Sequence, residues 1–227
     1  MMLLQTDNVL DQFQMEHGDY PAMFAAVLAD PDIDVQVVDV REGPPPAGAA
    51  EAYVITGSRH SVYDDLPWIR ALAEFLKGEI AAGRKVVGIC FGHQLLAHFL
   101  GGRVTPAPGG WEVGVKATRL HERPCWMHAA PDEFSLLSSH KDQVASLPPE
   151  AKLLASSANC PVAGFTLGDN VVTFQGHPEF RKPYSRALMD YRRALLGEAV
   201  WAAGIASLAE PTSEVLVSQW IRDFLRG

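Results

Sequence analysis

Gly88-Ile89-Cys90-Phe91-Gly92-His93-Gln94 is the stretch whose residue types and spacing point most directly to chemistry. A β-branched run, Lys85 to Ile89, precedes the cysteine, and an apolar-periodic stretch, Phe91 to Leu100, follows it and stops at Gly101 and Gly102. Glycines flanking a cysteine at a strand-to-helix junction let the chain turn sharply and thrust the side chain out above the sheet. A thiol there sits at the N-terminus of the following helix, whose dipole favours the thiolate. The N–H of Phe91 is free to face a developing oxyanion. A cysteine nucleophile also needs a proton carrier and a third group to orient it. Gln175-Gly176-His177-Pro178-Glu179, after the predicted strand Val171 to Phe174, supplies both, with His177 as base and Glu179 fixing its tautomer. Cys90, His177 and Glu179 are therefore the candidate catalytic residues for nucleophilic chemistry at a cysteine. The bland alternatives are an inert thiol at a tight turn, a capping histidine and an acidic first helical turn.

The elements that must position these groups alternate in type. Val35 to Val40, Tyr53 to Thr56 and Lys85 to Ile89 read as strands. Pro67 to Ala82 reads as a helix, because Ile69, Leu72, Ala73, Leu76 and Ile80 recur at helical spacing between Pro67 and Gly83. Glu42 to Ala50 is a loop. Strand alternating with helix predicts an α/β fold with a mostly parallel open sheet flanked by helices. After residue 102 the rhythm changes to strands without long helices, near Val113 to Leu120, Glu133 to Leu137, Leu153 to Ser156 and Val171 to Gln175, which predicts a small β-rich portion. Ser185 to Leu196 and Ser213 to Leu225 return to helix, the latter with Val217, Ile221, Phe224 and Leu225 on one face.

The two motifs, G-I-C-F-G-H-Q and G-H-P-E-F, resemble those of the class I glutamine amidotransferases, and the resemblance runs from the first strand to about Phe180. It implies a flavodoxin-like sheet in a single domain over 1–227. It also implies attack by Cys90 on the side-chain amide of glutamine or a γ-glutamyl compound, with His177 protonating the departing amine and then activating water. Gln94 matches a substrate-contacting position of that family. Thr56-Gly57-Ser58 stands where many members carry a G-G-P loop, so the resemblance makes Gly57 the second oxyanion donor beside Phe91. Ser138-Ser139-His140-Lys141-Asp142-Gln143-Val144 resembles a segment whose backbone holds the amino-acid end of the substrate, which implicates Ser139, His140 and Lys141. The T-G-S form, followed by the turn Arg59 to Asp65, is similar to the stand-alone branch that includes γ-glutamyl peptidases.

The chain has 227 residues, 48% hydrophobic and 20% charged, with a net charge of −8. That balance opposes nucleic acid and anionic membrane as partners, and leaves a small-molecule substrate. The length predicts one domain with no room for a second catalytic one, so an ammonia-consuming synthase would be a separate subunit. Cys90, Cys125 and Cys160 are odd in number and unpatterned, which suits a reducing compartment, and the N-terminus lacks signal-peptide character. A cytoplasmic location is expected. The proposed chemistry needs no cofactor and no metal. Cys125 and Cys160 read as inert, His93 and His98 as packing residues. Trp111 reads as a substrate wall or a core residue, and Asp7 to Asp19 as a lid or a solvated loop. A catalytically silent small-molecule-binding or regulatory module of the same fold is the alternative function.

Overall fold

The computed structural model describes residues 1–227. In chain order the first half comprises β1 (Met2–Gln5), α1 (Asp11–His17), α2 (Tyr20–Val27), β2 (Gln36–Asp39), β3 (Ala52–Ile55), α3 (Pro67–Ala81), β4 (Lys85–Ile89) and α4 (Phe91–Phe99). A run of strands follows: β5 (Arg103–Pro106), β6 (Glu112–Leu120), β7 (Glu133–His140), β8 (Asp142–Ser146), β9 (Lys152–Ser156), β10 (Gly164–Leu167) and β11 (Val171–Phe174). The C-terminal part is helical: α5 (Lys182–Tyr191), α6 (Arg193–Leu196), α7 (Glu198–Ser207) and α8 (Glu214–Arg226). No helix is long and apolar enough to cross a membrane.

Nine strands form one sheet in the order β2-β1-β3-β4-β11-β10-β9-β6-β7, and β5 pairs with β8 separately. The first five are mutually parallel. Antiparallel pairing then extends the sheet through β10, β9, β6 and β7, so that only β10 and β6 run against the rest. The predicted α/β sheet with a β-rich portion after residue 102 is what the structure contains.

Period-2 alternation explains why β1, β3, β4 and β11 read as unbroken apolar runs. Leu3, Val54, Val87, Ile89, Val172 and Phe174 face one core, which α2, α5 and α8 cover with Phe24, Leu188, Val217, Trp220 and Ile221. Leu4, Tyr53, Ile55, Val86 and Val171 face the other, under Ile69, Leu72 and Leu76 of α3 and Leu95 and Leu96 of α4. A strand buried on both faces has no polar side to show.

Register decides where chemistry can occur. Ile55 pairs with Gly88 and Ile89 with Phe174, so β3, β4 and β11 end at one level. Their following loops, Thr56–Ser58, the Cys90 turn and Gln175–Glu179, therefore meet over the carboxyl edge of the sheet, where open α/β folds place ligands.

Several expectations are refined. The helix predicted over 185–196 is broken at Arg192 (φ −91°, ψ 7°) into α5 and α6. The periodicity of Ser213 to Leu225 corresponds to α8, with Val217, Ile221 and Phe224 buried. The four-residue strands β1, β5 and β10 and the helices α1, α2 and α7 were not anticipated, being too short or too evenly apolar for a periodic signal.

Trp220 is fully buried, edge-on to Phe134, and its indole N–H donates to the His128 carbonyl at 2.9 Å. Trp220→Ala should lower unfolding free energy by about 3–5 kcal/mol, read as a shifted denaturant midpoint. An unchanged midpoint would remove α8 from the core assignment.

Candidate active site

Cys90 occupies a left-handed backbone conformation, φ 50° and ψ −97°, between β4 and α4. A non-glycine residue held there stores roughly 1–3 kcal/mol of strain. The flanking glycines are required by close approach. A Cβ on Gly88 would lie 2.7 Å from the Gly92 carbonyl carbon, and one on Gly92 would lie 2.7 Å from Ile55 Cβ. The Cys90 N–H donates to the Phe174 carbonyl at 2.8 Å, tying the turn to β11. Gln175 Nε2 lies 3.5 Å from Cys90 Sγ.

His177 is fixed from three directions. Its N–H donates to the Leu137 carbonyl at 2.8 Å, its ring stacks on Phe180 at 3.9 Å and 10°, and its Nδ1 lies 2.7 Å from Glu179 Oε1. Both His177 and Glu179 are buried. With Nδ1 engaged, Nε2 is the free ring nitrogen, and it has no bonding partner. Burial disfavours the charged ring, but the charges of Glu179 and then Cys90 outweigh it, and the His177 pKa is raised to about 10. His177 therefore carries a proton through neutral pH. Since the folded value lies above the ordinary 6.5, the stability contributed by the protonated ring is complete below pH 6.5 and is lost as pH rises through about 10.

Gly57 closes the group from the β3 side. A Cβ there would stand 3.1 Å from His177 Cε1 and 3.7 Å from Cys90 Cβ. The Thr6 hydroxyl lies 2.9 Å from the Gly57 carbonyl and 3.3 Å from that of Thr56, which fixes the loop. Neither the Gly57 N–H nor the Phe91 N–H, at the first position of α4, donates to another group of the chain. The structure thus brings Cys90, His177, Glu179, Gly57 and Phe91 to one place.

A cleft of about 290 Å³ opens from Cys90 and His177, and Gln94, Ser139, His140 and Lys141 all border it. Their side chains differ in availability. Gln94 Nε2 donates to the Asp142 carbonyl at 2.7 Å and to Gln175 Oε1 at 3.0 Å. The Ser139 hydroxyl accepts from Arg192 at 3.0 Å. His140 Nδ1 meets the Asp142 carbonyl at 3.1 Å, and its Nε2 stands 3.1 Å from Glu112 Oε2 at an angle that makes no hydrogen bond. Lys141 is exposed at the rim.

The segment 7–19 and Trp111, singled out in the sequence, complete the walls together with Tyr20, Tyr184 and Arg192, which sequence reasoning missed. Asp7, Asn8 and Leu10 line the cleft, so Asp7 to Asp19 is a packed wall. Asp19 holds it by accepting from Asn8 Nδ2 at 2.6 Å, Val9 N at 2.7 Å and Tyr20 N at 2.8 Å. Asp7 pairs with Arg59 at 2.8 Å. Tyr20 and Tyr184 also line the cleft; burial pushes the Tyr20 hydroxyl well above its ordinary value and the Tyr184 hydroxyl up to about 12, so both stay neutral. Trp111 is a wall residue. Arg192, at the α5–α6 break, had no periodic signal to mark it. His93 is buried and pulled down to about 3 by desolvation, which fits a neutral packing role.

Behind the cleft, Glu112, His140 and Cys160 bring three metal-type donor atoms within 4.8 Å of one another. Burial, and then the charge of Glu112, push the Cys160 thiol up to about 12. Lys116 borders the same small void.

A family profile described as "Glutamine amidotransferase class-I" matches residues 33–189. Gamma-glutamyl peptidase 4 of Arabidopsis thaliana is 33% identical over 191 residues, covering 80% of this chain and 75% of that protein. Gamma-glutamyl peptidase 3 of the same plant is 30% identical over 189 residues, covering 78% and 75%. A glutamine-hydrolyzing GMP synthase of Aeropyrum pernix is 38% identical over 126 residues, which are 54% of this chain and 24% of that protein. The crystal structure of a glutamine amidotransferase from Thermotoga maritima superposes with a TM-score of 0.80 at 18% identity, covering 100% of this chain and 99% of that one, and so shares the fold.

Glu179→Gln should lower the His177 pKa, because the charge that opposes desolvation is removed. Titrating the ring by NMR checks this, and an unmoved pKa would remove Glu179 as the cause.

Proposed function

The chain belongs to the class I glutamine amidotransferase family, and we propose that it cleaves the γ-amide bond of glutamine or a γ-glutamyl compound through a thioester on Cys90. The observation that carries this reading is the convergence of Cys90, the His177–Glu179 pair and the Gly57 loop at the head of one cleft.

In the proposed cycle, Cys90 and His177 begin as thiolate and imidazolium. Sγ attacks the γ-carbonyl carbon and the carbonyl π-electrons move to oxygen. The Gly57 and Phe91 N–H groups receive that oxyanion. His177 Nε2 gives its proton to the leaving nitrogen, the C–N bond breaks, and ammonia or an amine departs. The thioester remains, with His177 neutral. Water then attacks, His177 takes its proton, and the C–S bond breaks to release glutamate and restore the ion pair. Glu179 keeps Nδ1 protonated and Nε2 directed at the cleft throughout. Gln94 and the Ser139–Lys141 segment are proposed to hold the glutamyl end.

The fate of the leaving nitrogen separates two versions. The γ-glutamyl peptidases are matched over three-quarters of their length, and this favours a hydrolase that works alone. The GMP synthase is matched over 24% of its length, and it supports the second version, in which ammonia passes to a separate synthase subunit. Activity on γ-glutamyl compounds without any added protein supports the first. Glutaminase activity that rises strongly with a co-purifying protein supports the second.

Cys90→Ala should abolish hydrolysis of glutamine and γ-glutamyl compounds while leaving the circular dichroism spectrum unchanged. His177→Ala should cost about a hundred- to ten-thousand-fold in kcat/KM. A reactive glutamine analogue should label Cys90. Full activity of the Cys90 variant would sink the proposed mechanism, whereas no turnover and no labelling in the wild type would sink the proposal and favour a silent binding module.

A further inference from the structure

A second cluster of chemically capable side chains lies behind the cleft and takes no part in the proposed cycle. Glu112, the first residue of β6, and His140, the last of β7, are cross-strand partners, so their side chains stand on one face of the sheet. Cys160 reaches the same spot from the β9–β10 connection, where its N–H donates to Ser157 Oγ at 3.1 Å and its carbonyl accepts from the Ser157 N–H at 2.8 Å. All three residues are buried, and their donor atoms lie within 4.8 Å of one another. They border a void of about 10 Å³, room for one water or one ion.

The setting of the His140 ring points to a ligand. A backbone carbonyl only accepts, so Nδ1, at 3.1 Å from the Asp142 carbonyl, carries a hydrogen. Nε2, buried and without a hydrogen-bond partner, then faces Glu112 Oε2 at 3.1 Å. Neither protonation state suits this contact. A neutral ring sets a lone pair against a carboxylate, and a charged ring leaves a buried N–H misaligned with its acceptor. A cation bound to both atoms satisfies each.

Donor atoms around one tetrahedral zinc, at bond lengths of about 2.0–2.3 Å, stand about 3.3–3.7 Å apart. The Nε2–Oε2 distance is close to that, and the third donor has roughly 1 Å to close. Thiolate, imidazole and carboxylate together select a borderline-soft cation over magnesium or calcium, whose ligands are oxygens. An Nδ1–H on a backbone carbonyl is also the usual support of a metal-ligating histidine. Charge balances as well: thiolate and carboxylate offset the two charges of the ion, so the occupied site is neutral, as its burial requires. We propose that Glu112, His140 and Cys160 form a site for one zinc ion, with water in the fourth position. Binding forms an S–Zn bond, and the Cys160 thiol gives its proton to solvent. Its weak contact with the Val162 carbonyl at 3.4 Å is given up, and that carbonyl keeps His93 Nε2 at 3.1 Å. Lys116 borders the void at partial exposure, where solvent screens its opposing charge. The ion takes no step in the proposed reaction. It ties β6, β7 and the β9–β10 connection together behind the Ser139–Lys141 segment.

Metal binding is measured on Cys90→Ala, which removes the thiol at the head of the cleft as a competing ligand and keeps the question apart from turnover. After stripping with a chelator, this protein should take up one equivalent of zinc in competition with a chromophoric chelator, and the ion should raise its thermal midpoint. Cobalt(II) in place of zinc should give the near-ultraviolet thiolate-to-metal absorption of a cysteine ligand. Adding Cys160→Ala should abolish that absorption and weaken zinc binding about 100-fold or more, since even the residues that support a metal ligand are worth about 10- to 100-fold. Adding Glu112→Gln instead should weaken zinc binding by a similar factor while keeping the absorption. Where Cys160→Ala fails to fold, Glu112→Gln and the cobalt spectrum decide in the same sense. No stoichiometric uptake overturns the proposal. Uptake indifferent to both substitutions is adventitious binding to surface histidines or to Cys125, and overturns it equally.

Discussion

The packing of the Cys90 turn against its neighbouring strands is the constraint on which the rest depends. Gly92 lies against Ile55 so closely that no Cβ fits, and the Cys90 N–H is anchored on Phe174. The positive φ of Cys90 therefore survives because β3 and β11 hold it on both sides. Strain of this kind persists only where the surroundings over-determine it. A parallel register that ends three strands at one level is what supplies those surroundings, and it brings the Gly57 loop and His177 to the thiol by the same act.

Electrostatics is arranged on that frame. A buried carboxylate is costly unless it is paired. Glu179 meets the cost by contact with His177, and the pair is enclosed by Phe180, with Tyr184 edge-on at 4.8 Å. These rings exclude water and so strengthen the attraction that holds the imidazole protonated. The same rings anchor the N-terminal wall, since Phe13 of α1 packs edge-on against Tyr184 at 6.3 Å. Aromatic packing thus links the proton carrier to the element that shapes the cleft.

What the sequence made legible follows from how local each signal was. Lys85–Ile89 and the G-x-C-x-G turn were readable because strand, turn and helix constraints fall within a dozen residues. The Cys90 and His177 motifs lie far apart in sequence, yet each is a compact local pattern, so both could be found. Their meeting depends on β4–β11 pairing, which is non-local. Tyr20, Tyr184 and Arg192 were missed for that same reason. Each is an ordinary residue in an ordinary context, and only the fold carries it to the cleft. His140 borders the cleft, but its ring nitrogens face the Asp142 carbonyl and Glu112, because position along β7 does not reveal which neighbour a side chain will find.

This split has a functional logic. The groups proposed for bond breaking sit on the ends of central parallel strands, where register leaves little freedom, and all fall within the stretch shared with the family. Asp7, Asn8 and Arg192 come from segments on either side of that stretch, a hydrogen-bonded wall and a break between two helices. Such segments can change without moving Cys90, because none of the contacts that fix its backbone passes through them. The walls of the cleft can therefore vary at the N-terminal segment and at the helix break, while the strained turn beneath stays as it is.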